Sequence, residues 1–289
     1  MDLDLAGVHV LVTGANGGIG LETTRVFLEQ GAKVTAHYRS SSASLLPLLA
    51  VYGPTALRLE SAELSHEDEV INLFGRFRSP SSSDFGRVEI AVVNHGVFKP
   101  EDVAVKDMTL TQWEGTFAAN LTSSFLVARE YLRALEEGVK ESGVINGRFG
   151  ERAAIVFVGS TAGKYGQHGH ADYAAGKSAM MYGLTLSLKN EIVKVASKGR
   201  VNSVAPGWVK TPMAHDALKN SSTVYRALAT TPLRKVAEAS DVANQIVVLA
   251  SAKVSGHVSG QVVMVEGGME GRVLNTPAEL GLEQSACFS

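Results

Sequence analysis

The stretch VHVLVTGANGGIG, from Val8 to Gly20, decides the fold of this chain. Its first five residues form a largely apolar run of strand length, and a helical spacing of apolar residues begins at Gly18. A glycine-rich turn between a strand and a helix is typical of dinucleotide binding, because backbone N–H groups and the helix dipole favour a pyrophosphate there. Gly14 would permit the sharp exit from the strand, and Gly18 and Gly20 would let the pyrophosphate approach the backbone. The residues of this turn that we assign to a cofactor are Gly14, Asn16, Gly18, Ile19 and Gly20.

Strand-length and helix-length patterns alternate along the rest of the chain. Residues 88–93 and 153–158 are mostly apolar runs of strand length, whereas residues 109–135 and 171–196 have the length and spacing of long helices. Apolar strands of this kind are typical of a parallel sheet whose two faces are both covered by helices. The sequence therefore predicts an α/β fold, namely a Rossmann-like, doubly wound, mostly seven-stranded parallel sheet with helices on both faces.

Three stretches lack a regular period. Residues 208–236 carry aromatic side chains and two prolines, and a loop of that length inside a compact domain is usually functional. We expect it to be the substrate loop of a single domain spanning residues 1–268, which residues 269–289 follow as a C-terminal tail. Residues 79–83 and 138–150 are predicted to be surface loops.

Composition limits the partners and the compartment. The net charge is −2, so the chain lacks the excess of positive charge that would attract nucleic acid or an anionic membrane. Cys287 is the one cysteine, so it cannot form an intramolecular disulfide, and this favours a reducing compartment. The first residues are acidic rather than basic, and the longest apolar runs are strand-sized. We expect a cytoplasmic protein that binds neither nucleic acid nor a membrane.

The eight histidines raise the question of a metal. His168 and His170 are close in sequence, but no cysteine or carboxylate cluster joins them at ligand spacing. We expect no metal site. Both histidines are predicted to line the loop between Ser160 and Tyr173, at the mouth of a pocket.

The residues after the second predicted strand bear on the choice of cofactor. A Rossmann enzyme that binds NAD usually has an acidic residue about 20 positions beyond the glycine motif, where it holds the ribose 2′-hydroxyl. Here that region reads Tyr38, Arg39, Ser40 and Ser41. Arg39 could pair with a 2′-phosphate and the serines could donate to it, although an ordinary exposed arginine on a polar loop is the alternative. We therefore expect NADP(H), bound here by Tyr38, Arg39 and Ser40.

Four polar residues stand where chemistry is expected in such a sheet. Tyr173 and Lys177 are four positions apart on a predicted helix and so share one face. Ser160 follows an apolar strand, at the carboxyl end where ligands bind in open α/β sheets. Asn120 interrupts an otherwise apolar helical stretch. A Tyr/Lys pair at this spacing can arise by chance, but its neighbours strengthen it as a catalytic group.

Taken in order along the chain, these motifs resemble those of the short-chain dehydrogenases/reductases, in their single-domain branch. The resemblance covers roughly residues 5–268. The motifs that carry it are Thr13 to Gly20, Asn94-His95-Gly96, Asn120, Ser160, Tyr173 to Lys177, Pro206-Gly207 and Gly267-Gly268. Three positions depart from the family pattern. In the stretch that is commonly Asn-Asn-Ala-Gly, Val93 takes the place of the first asparagine and His95 replaces the alanine. Glu63 stands near the place of an aspartate that often touches adenine.

The resemblance implies a role for each catalytic residue. Tyr173 would give a proton to a carbonyl or take one from an alcohol, and Lys177 with the oxidised nicotinamide would lower the pKa of its phenol. Lys177 would also hydrogen-bond the nicotinamide ribose. Ser160 would hydrogen-bond the substrate oxygen and stabilise developing charge, and Asn120 would hold a water that relays protons to Lys177.

The resemblance also completes the cofactor site. Asn94 would support the strand ends and the adenosine side, and Thr211 would contact the nicotinamide amide. The residues that the resemblance adds to this site are Asn94, Gly96, Tyr173, Lys177, Pro206, Gly207, Val209 and Thr211.

The sequence thus predicts an NADPH-dependent carbonyl reductase that can run in reverse as a secondary-alcohol dehydrogenase. Trp208, Met213 and Tyr225 in the substrate loop suggest a bulky apolar ketone. Two alternatives stay open: a biosynthetic isomerase, dehydratase or cyclase that keeps NADP(H) without net redox change, and a nucleotide-sensing binding protein. The helix after Lys177 is apolar on several faces, which suggests a homodimer or homotetramer.

Overall fold

Seven short strands take up the apolar runs of the sequence. They are β1 (His9–Val12), β2 (Lys33–Tyr38), β3 (Leu57–Ser61), β4 (Ile90–Val93), β5 (Ala154–Val158), β6 (Arg200–Pro206) and β7 (Val262–Val265). All neighbours pair in parallel, in the order β3-β2-β1-β4-β5-β6-β7. The predicted seven-stranded, doubly wound fold is confirmed in this computed structural model, which describes residues 1–78, 85–141, 148–270 and 275–281.

Helices connect the strands and cover both faces of the sheet. They are α1 (Gly18–Glu29), α2 (Leu46–Tyr52), α3 (Glu67–Arg78), α4 (Leu110–Phe117), α5 (Ser123–Glu141), α6 (Arg148–Glu151), α7 (Thr161–Tyr165), α8 (Ala171–Ser178), α9 (Thr185–Val195), α10 (Ser221–Ala229), α11 (Ala239–Ala250) and α12 (Ala252–Ser255). A π-helical turn at Ala118–Thr122 joins α4 to α5, and a second at Ala179–Leu184 joins α8 to α9. Each of the two long predicted helices is therefore a continuous helical run with a π-helical turn in its middle.

Successive strand residues alternate between two apolar layers. On β1, Val10 and Val12 belong to the layer that also contains residues of α1 and α11, whereas Leu11 belongs to the layer formed with α3, α5 and α9. Val156 and Phe157 on β5 divide between the same two layers. Burial on both faces matches the sequences of β4 and β5, which are apolar at every position.

The prediction of a loop at residues 138–150 is wrong at both ends, where the structure has helices. Helix α5 continues to Glu141, and α6 begins at Arg148. Gly138 suits the interior of α5 because a Cβ at this position would lie 2.7 Å from Phe149 Cε1, so its missing side chain allows the close packing. Residues 142–147, the predicted loop at 79–83 and Cys287 lie outside the described residues.

The substrate loop is also more regular than predicted. It contains α10, whose N-cap Asn220 accepts hydrogen bonds from the backbone N–H groups of Ser222 and Thr223. Beyond β7, the described tail residues 275–281 contain one 3₁₀ turn, Ala278–Leu280, and no strand.

The sheet topology fixes where a ligand can bind. Strand β1 lies between β2 and β4. The connection after β1 leads to β2 and the connection after β4 leads to β5, so the two diverge and open a crevice at the carboxyl ends of β1 and β4. Glycine and polar residues of the predicted site follow the carboxyl ends of β1, β4, β5 and β6. No helix within the described residues is long and apolar enough to span a bilayer.

Candidate active site

The turn after β1 adopts a backbone geometry that favours glycine. Gly14 has φ of +61°, and a Cβ there would lie 2.9 Å from His95 Cα. A Cβ at Gly20 would collide with the Gly14 carbonyl oxygen and lie 2.6 Å from Asn94 Nδ2. Gly20 therefore allows the start of α1 to pack on the turn. Asn94 Nδ2 uses the same space to donate to the carbonyl oxygens of Thr13 and Gly14, at 3.0 and 3.1 Å.

The N-terminus of α1 is suited to an anion. Its N-cap, Gly17, offers no side-chain hydrogen bond, and the first turn contains no acidic residue. Helices α4 and α7 differ, because the side chains of Thr109 and Ser160 cap them. A Cβ at Gly17 would have the Gly14 oxygen, at 3.5 Å, as its one neighbour within 4 Å. Uncapped N–H groups, the helix dipole and open space fit the pyrophosphate of a dinucleotide.

The segment after β6 passes over the same helix start. A Cβ at Gly18 would lie 2.6 Å from Thr211 Cγ2, so Thr211 lies directly against the glycine turn. Val209 is buried and forms a parallel bridge with Ala237. A Cβ at Gly207 would lie 3.2 Å from Glu266 Cα. Pro206 and the residues after it are thus held at the edge where the cofactor is expected.

The loop after β2 is tied to the glycine turn by two hydrogen bonds. Asn16 Nδ2 donates to the Ser41 carbonyl oxygen at 3.0 Å, and Ser44 Oγ donates to the Asn16 carbonyl oxygen at 2.9 Å. The two segments that would surround an adenosine ribose are therefore adjacent.

Arg39 stands on that loop with a carboxylate nearby. Its side chain is 62% exposed, and its guanidinium lies 3.8 Å from Glu63 Oε2. Tyr38 is half-buried beside it and Ser40 is exposed. An exposed pair at this distance contributes little, so a 2′-phosphate could compete for the guanidinium. Sequence reasoning placed Glu63 near adenine and missed its pairing with Arg39, although both follow neighbouring strands.

Ser160, Tyr173 and Lys177 come together beyond the carboxyl end of β5. The Ser160 hydroxyl lies near enough to the Tyr173 phenol to lower its pKa, and Lys177 Nζ lies 5.7 Å from the centroid of the Tyr173 ring. Lys177 Nζ donates to the Val158 carbonyl oxygen at 2.8 Å. Ser160 Oγ also accepts a hydrogen bond from Ala162 N at 3.1 Å, which begins α7. The arrangement joins a donor, a phenol and an ammonium at one strand end.

Burial sets the protonation of this group. Lys177 is 3% exposed, and burial lowers the pKa of its ammonium to about 8. Burial raises the pKa of the Tyr173 phenol, and the nearby Ser160 hydroxyl offsets part of that rise. The lowering of the Tyr173 pKa by Lys177 together with the oxidised nicotinamide stays a prediction. A phenol that stays protonated at neutral pH can donate a proton.

Asn120 is buried in the π-helical turn between α4 and α5. Its Nδ2 donates to the carbonyl oxygens of Val97 and Thr116, at 3.1 and 3.0 Å, and its Oδ1 accepts from Val97 N at 2.9 Å. A Cβ at Gly96 would lie 2.7 Å from Asn120 Oδ1 and 3.6 Å from Lys177 Nζ, so Gly96 lies between the two side chains. The water relay through Asn120 stays a prediction, and the Asn120 side chain is already committed to Val97 and Thr116.

Two histidines next to the glycine turn, the buried His37 and the half-buried His95, have bonding roles that the sequence did not predict. His37 Nδ1 accepts from Gly14 N at 3.2 Å, while its Nε2 bonds a backbone carbonyl at 2.9 Å. His95 bridges Thr13 Oγ1 and Ser123 Oγ, at 2.9 and 2.8 Å. Burial lowers the pKa of His37, and it lowers that of His95 well below its ordinary value. Both are neutral supports of the strand ends at pH 7.

His168 and His170 occupy different surroundings. His170 is buried, its Nε2 donates to the Lys99 carbonyl oxygen at 2.8 Å, and its ring stacks on Phe98 with 4.4 Å between centroids. Phe98 in turn meets the edge of the Tyr173 ring, with 5.1 Å between centroids. His168 is exposed. Across the described ranges no three His, Cys, Asp or Glu side chains form a group that could hold a metal.

Known proteins resemble this chain over most of its length. Residues 14–270 match the family model described as enoyl-(acyl carrier protein) reductase. A 3-oxoacyl-[acyl-carrier-protein] reductase of Synechocystis is 30% identical over 263 residues, which cover 90% of this chain and 95% of that protein. The corresponding Vibrio cholerae reductase is 31% identical over 270 residues, with coverage of 92% and 99%. An uncharacterised short-chain type dehydrogenase/reductase of Sinorhizobium fredii is 32% identical over 91% of this chain, which spans 43% of that longer protein.

A solved structure agrees with these relatives. It is titled as a short-chain dehydrogenase/reductase, glucose/ribitol dehydrogenase, from Brucella melitensis. Its TM-score is 0.77 at 27% identity, with 93% of this chain and 98% of that chain covered. The fold and site together define a dinucleotide-dependent oxidoreductase. The chain belongs to the short-chain dehydrogenase/reductase family, as its motifs predicted.

Proposed function

We propose that the protein is an NADPH-dependent carbonyl reductase that converts a ketone to a secondary alcohol and can catalyse the reverse reaction. The observation that carries this proposal is the grouping of Ser160, Tyr173 and Lys177 at one strand end, beside the uncapped start of α1. Relatives named as 3-oxoacyl-[acyl-carrier-protein] reductases support a ketone as the substrate.

The catalytic residues divide the work of proton transfer. The glycine turn and Thr211 would hold NADPH, which when bound would supply the hydride to the carbonyl carbon. The Ser160 hydroxyl holds the carbonyl oxygen, and Tyr173 gives its proton to that oxygen as negative charge develops. The Lys177 ammonium lies beside the phenolate that is left and stabilises it. The raised pKa of Tyr173 favours the reductive direction, because the phenol is protonated at neutral pH.

The preference for NADPH rests on Arg39. Its guanidinium is mostly exposed beside the loop that Asn16 ties to the glycine turn, where a 2′-phosphate would lie. Glu63 is the one carboxylate that Arg39 pairs with among the described residues, at 3.8 Å. A phosphate carries more charge and more acceptor oxygens than that carboxylate, so it is the stronger partner.

The substrate is proposed to be bulky and apolar. Met213 is exposed on the substrate loop, and Trp208, Tyr225 and Leu228 are partly buried there. Phe98 adds an aromatic surface against Tyr173. Side chains of this kind favour an apolar ligand over a small polar one.

A second copy of the chain is the proposed macromolecular partner, as a homodimer or homotetramer, with no nucleic acid or membrane involved. The long helices that contain α5 and α9 expose large apolar side chains. These include Trp113, Phe125, Tyr182, Leu186 and Val193. Sedimentation that shows a monomer at every concentration would contradict this assignment.

The proposed activity is tested by Tyr173→Phe, assayed by oxidation of NADPH and NADH over small and bulky ketones. General acid catalysis contributes about 10²–10⁴ in rate, so the variant should lose about that factor in kcat while still binding NADPH. Tyr131→Phe is the matched control, because it also deletes a buried phenol, one that donates to the Glu89 carbonyl oxygen at 2.6 Å. That control should keep its kcat.

Two results would count against the reductase. One is equal activity of wild type and Tyr173→Phe. The other is tight NADPH binding by wild type without oxidation of the cofactor on any ketone, which would favour an isomerase, dehydratase or cyclase that retains the cofactor.

A further inference from the structure

The chain beyond β7 returns to the substrate loop and binds the end of α10. We refer to residues 275–281 as the C-terminal segment. Asn275, its first residue, is 4% exposed and makes hydrogen bonds with both its backbone and its side chain. Its N–H donates to Ala229 O (3.0 Å), its Nδ2 donates to Leu228 O (2.8 Å) and Thr231 O (2.9 Å), and its Oδ1 accepts from Arg234 Nε (3.2 Å).

These bonds cap α10 from outside the helix. The last carbonyl groups of any α-helix lack partners within the helix, and α10 ends at Ala229. Asn275 supplies three donors to carbonyl oxygens at this end, which uses both N–H bonds of its side-chain amide. The turn Ala278–Leu280 also packs against α10. The C-terminal segment therefore fixes the end of the helix that the substrate loop contains.

Backbone strain at Arg234 is an independent sign of this attachment. Arg234 has φ of +51°, in the left-handed region that residues other than glycine seldom adopt. Its guanidinium donates to Asn275 Oδ1 and pairs with Glu279 at 3.4 Å. A strained residue persists where its surroundings hold it in place, and here both side-chain partners belong to the C-terminal segment.

The chain that leaves β7 is itself attached near the catalytic group. Leu233 N donates to the Gly267 carbonyl oxygen at 3.1 Å. The Tyr165 hydroxyl, at the end of the helix that Ser160 caps, donates to the Met269 carbonyl oxygen at 2.8 Å. The rear of the substrate loop is thus bonded to elements that also hold the site.

We propose that Asn275 is a positioning residue that holds the rear of the substrate loop, residues 221–234, in place. Opening for substrate is then confined to the front of the loop, residues 211–220. The part of this inference that concerns substrate affinity rests on the proposed function, because it requires that the loop contacts the ketone. The part that concerns attachment of the loop does not.

The test compares Asn275→Ala and Asn275→Asp with a matched control, Asn202→Ala. The aspartate keeps the shape and the acceptor for Arg234 but removes both amide donors. Asn202 is also buried, and its amide also makes backbone hydrogen bonds, to Val258 O at 2.8 Å and from Gln261 N at 3.0 Å, but it lies between β6 and β7. All variants lose buried amide bonds, so general destabilisation is common to them.

Hydrogen exchange and steady-state kinetics give separate readouts. Loss of several hydrogen bonds at one helix end should speed amide exchange in residues 221–231 by about 10–100-fold in both Asn275 variants. The KM for a bulky ketone should rise about tenfold, with kcat and NADPH affinity changed less than about twofold. Asn202→Ala should leave exchange in residues 221–231 and KM at wild-type values.

Unchanged exchange in the Asn275 variants, or the same KM rise in Asn202→Ala, would overturn the inference. Absence of ketone reduction by wild type would defeat the proposed function instead. The exchange measurement would still decide whether Asn275 holds the loop.

Discussion

Ser160 has two functions, and one substitution removes both. Its hydroxyl accepts a hydrogen bond from Ala162 N and so caps α7, and the same hydroxyl lies near the Tyr173 phenol and lowers its pKa. Ser160→Ala removes the cap and the hydroxyl beside Tyr173. Loss of an N-cap costs about 1 kcal/mol of stability, which in a chain of this size lowers the Tm by about 2 °C. Loss of a donor to developing negative charge costs about 2.7–4 kcal/mol in the transition state, or about 10²–10³ in kcat.

A matched cap elsewhere distinguishes the two losses. Ser251 Oγ accepts from Val254 N at 3.2 Å and donates to the Leu3 carbonyl oxygen at 2.7 Å, at the start of α12. Ser251→Ala should therefore lower the Tm at least as much as Ser160→Ala does, with kcat preserved. Ser160→Thr retains a hydroxyl and should recover the Tm and part of the kcat.

The pH profile adds a third readout. Burial raises the pKa of Tyr173 and the nearby Ser160 hydroxyl lowers it, so Ser160→Ala should move that pKa further upward. Alcohol oxidation needs the phenolate, and its rising limb should therefore shift to higher pH in the variant. Steady-state oxidation of an alcohol between pH 6 and 11, with the Tm measured by calorimetry, checks all three expectations. The reasoning is refuted if Ser160→Ala keeps kcat within threefold of wild type, or if Ser251→Ala loses as much kcat.

Two further predictions concern the cofactor and acid stability. Arg39→Ala should weaken NADPH binding by about 10–100-fold and leave NADH binding unchanged, because a charge-assisted hydrogen bond contributes about 1.5–3 kcal/mol; titration of each cofactor measures both affinities. Arg76→Ala is the control, since it also removes an arginine that is paired with a glutamate. Equal losses of affinity for NADPH and NADH in Arg39→Ala would mean that Arg39 does not contact the 2′-phosphate. Burial lowers the pKa of His9 from 6.5 to about 4, so its neutral form stabilises the fold by about 3 kcal/mol above pH 6.5, and this contribution is lost as the pH falls from 6.5 to 4. Urea unfolding of His9→Gln should show a shallower fall of stability over that range, and an unchanged slope would contradict the assignment.

The parts of the site that were predictable depend on local chemistry. A glycine-rich turn that follows an apolar strand and precedes a helix is typical of dinucleotide binding, so residues 13–20 predicted both the strand–turn–helix unit and the cofactor position. Tyr173 and Lys177 were found because helical spacing alone puts them on one face. Helix α10 was missed, although Asn220 followed by two serines is a signal for a helix start.

Other contacts leave no local signal. Asn275 binds backbone groups of Leu228 and Thr231, which lie 47 and 44 positions away in the chain, and no periodicity predicts such a pairing. Asn120, in the π-helical turn, bonds Val97, which lies 23 positions earlier and which only the fold brings near it. His37 is similar, because its role depends on the Gly14 N–H that the neighbouring strand end supplies.

Two neutral histidines leave the positive charge near Tyr173 on Lys177. His37, His95 and Lys177 are three neighbouring groups that could each carry a positive charge, and both His37 and Lys177 oppose protonation of His95 by charge repulsion. Burial lowers the pKa of all three groups, but only that of Lys177 stays above neutrality, at about 8. At pH 7 the histidines are therefore neutral hydrogen-bonding supports and the charge lies on Lys177, 5.7 Å from the ring of the proton donor. Replacement of the family's usual alanine by His95 thus adds bonds to Thr13 and Ser123 without adding a competing charge.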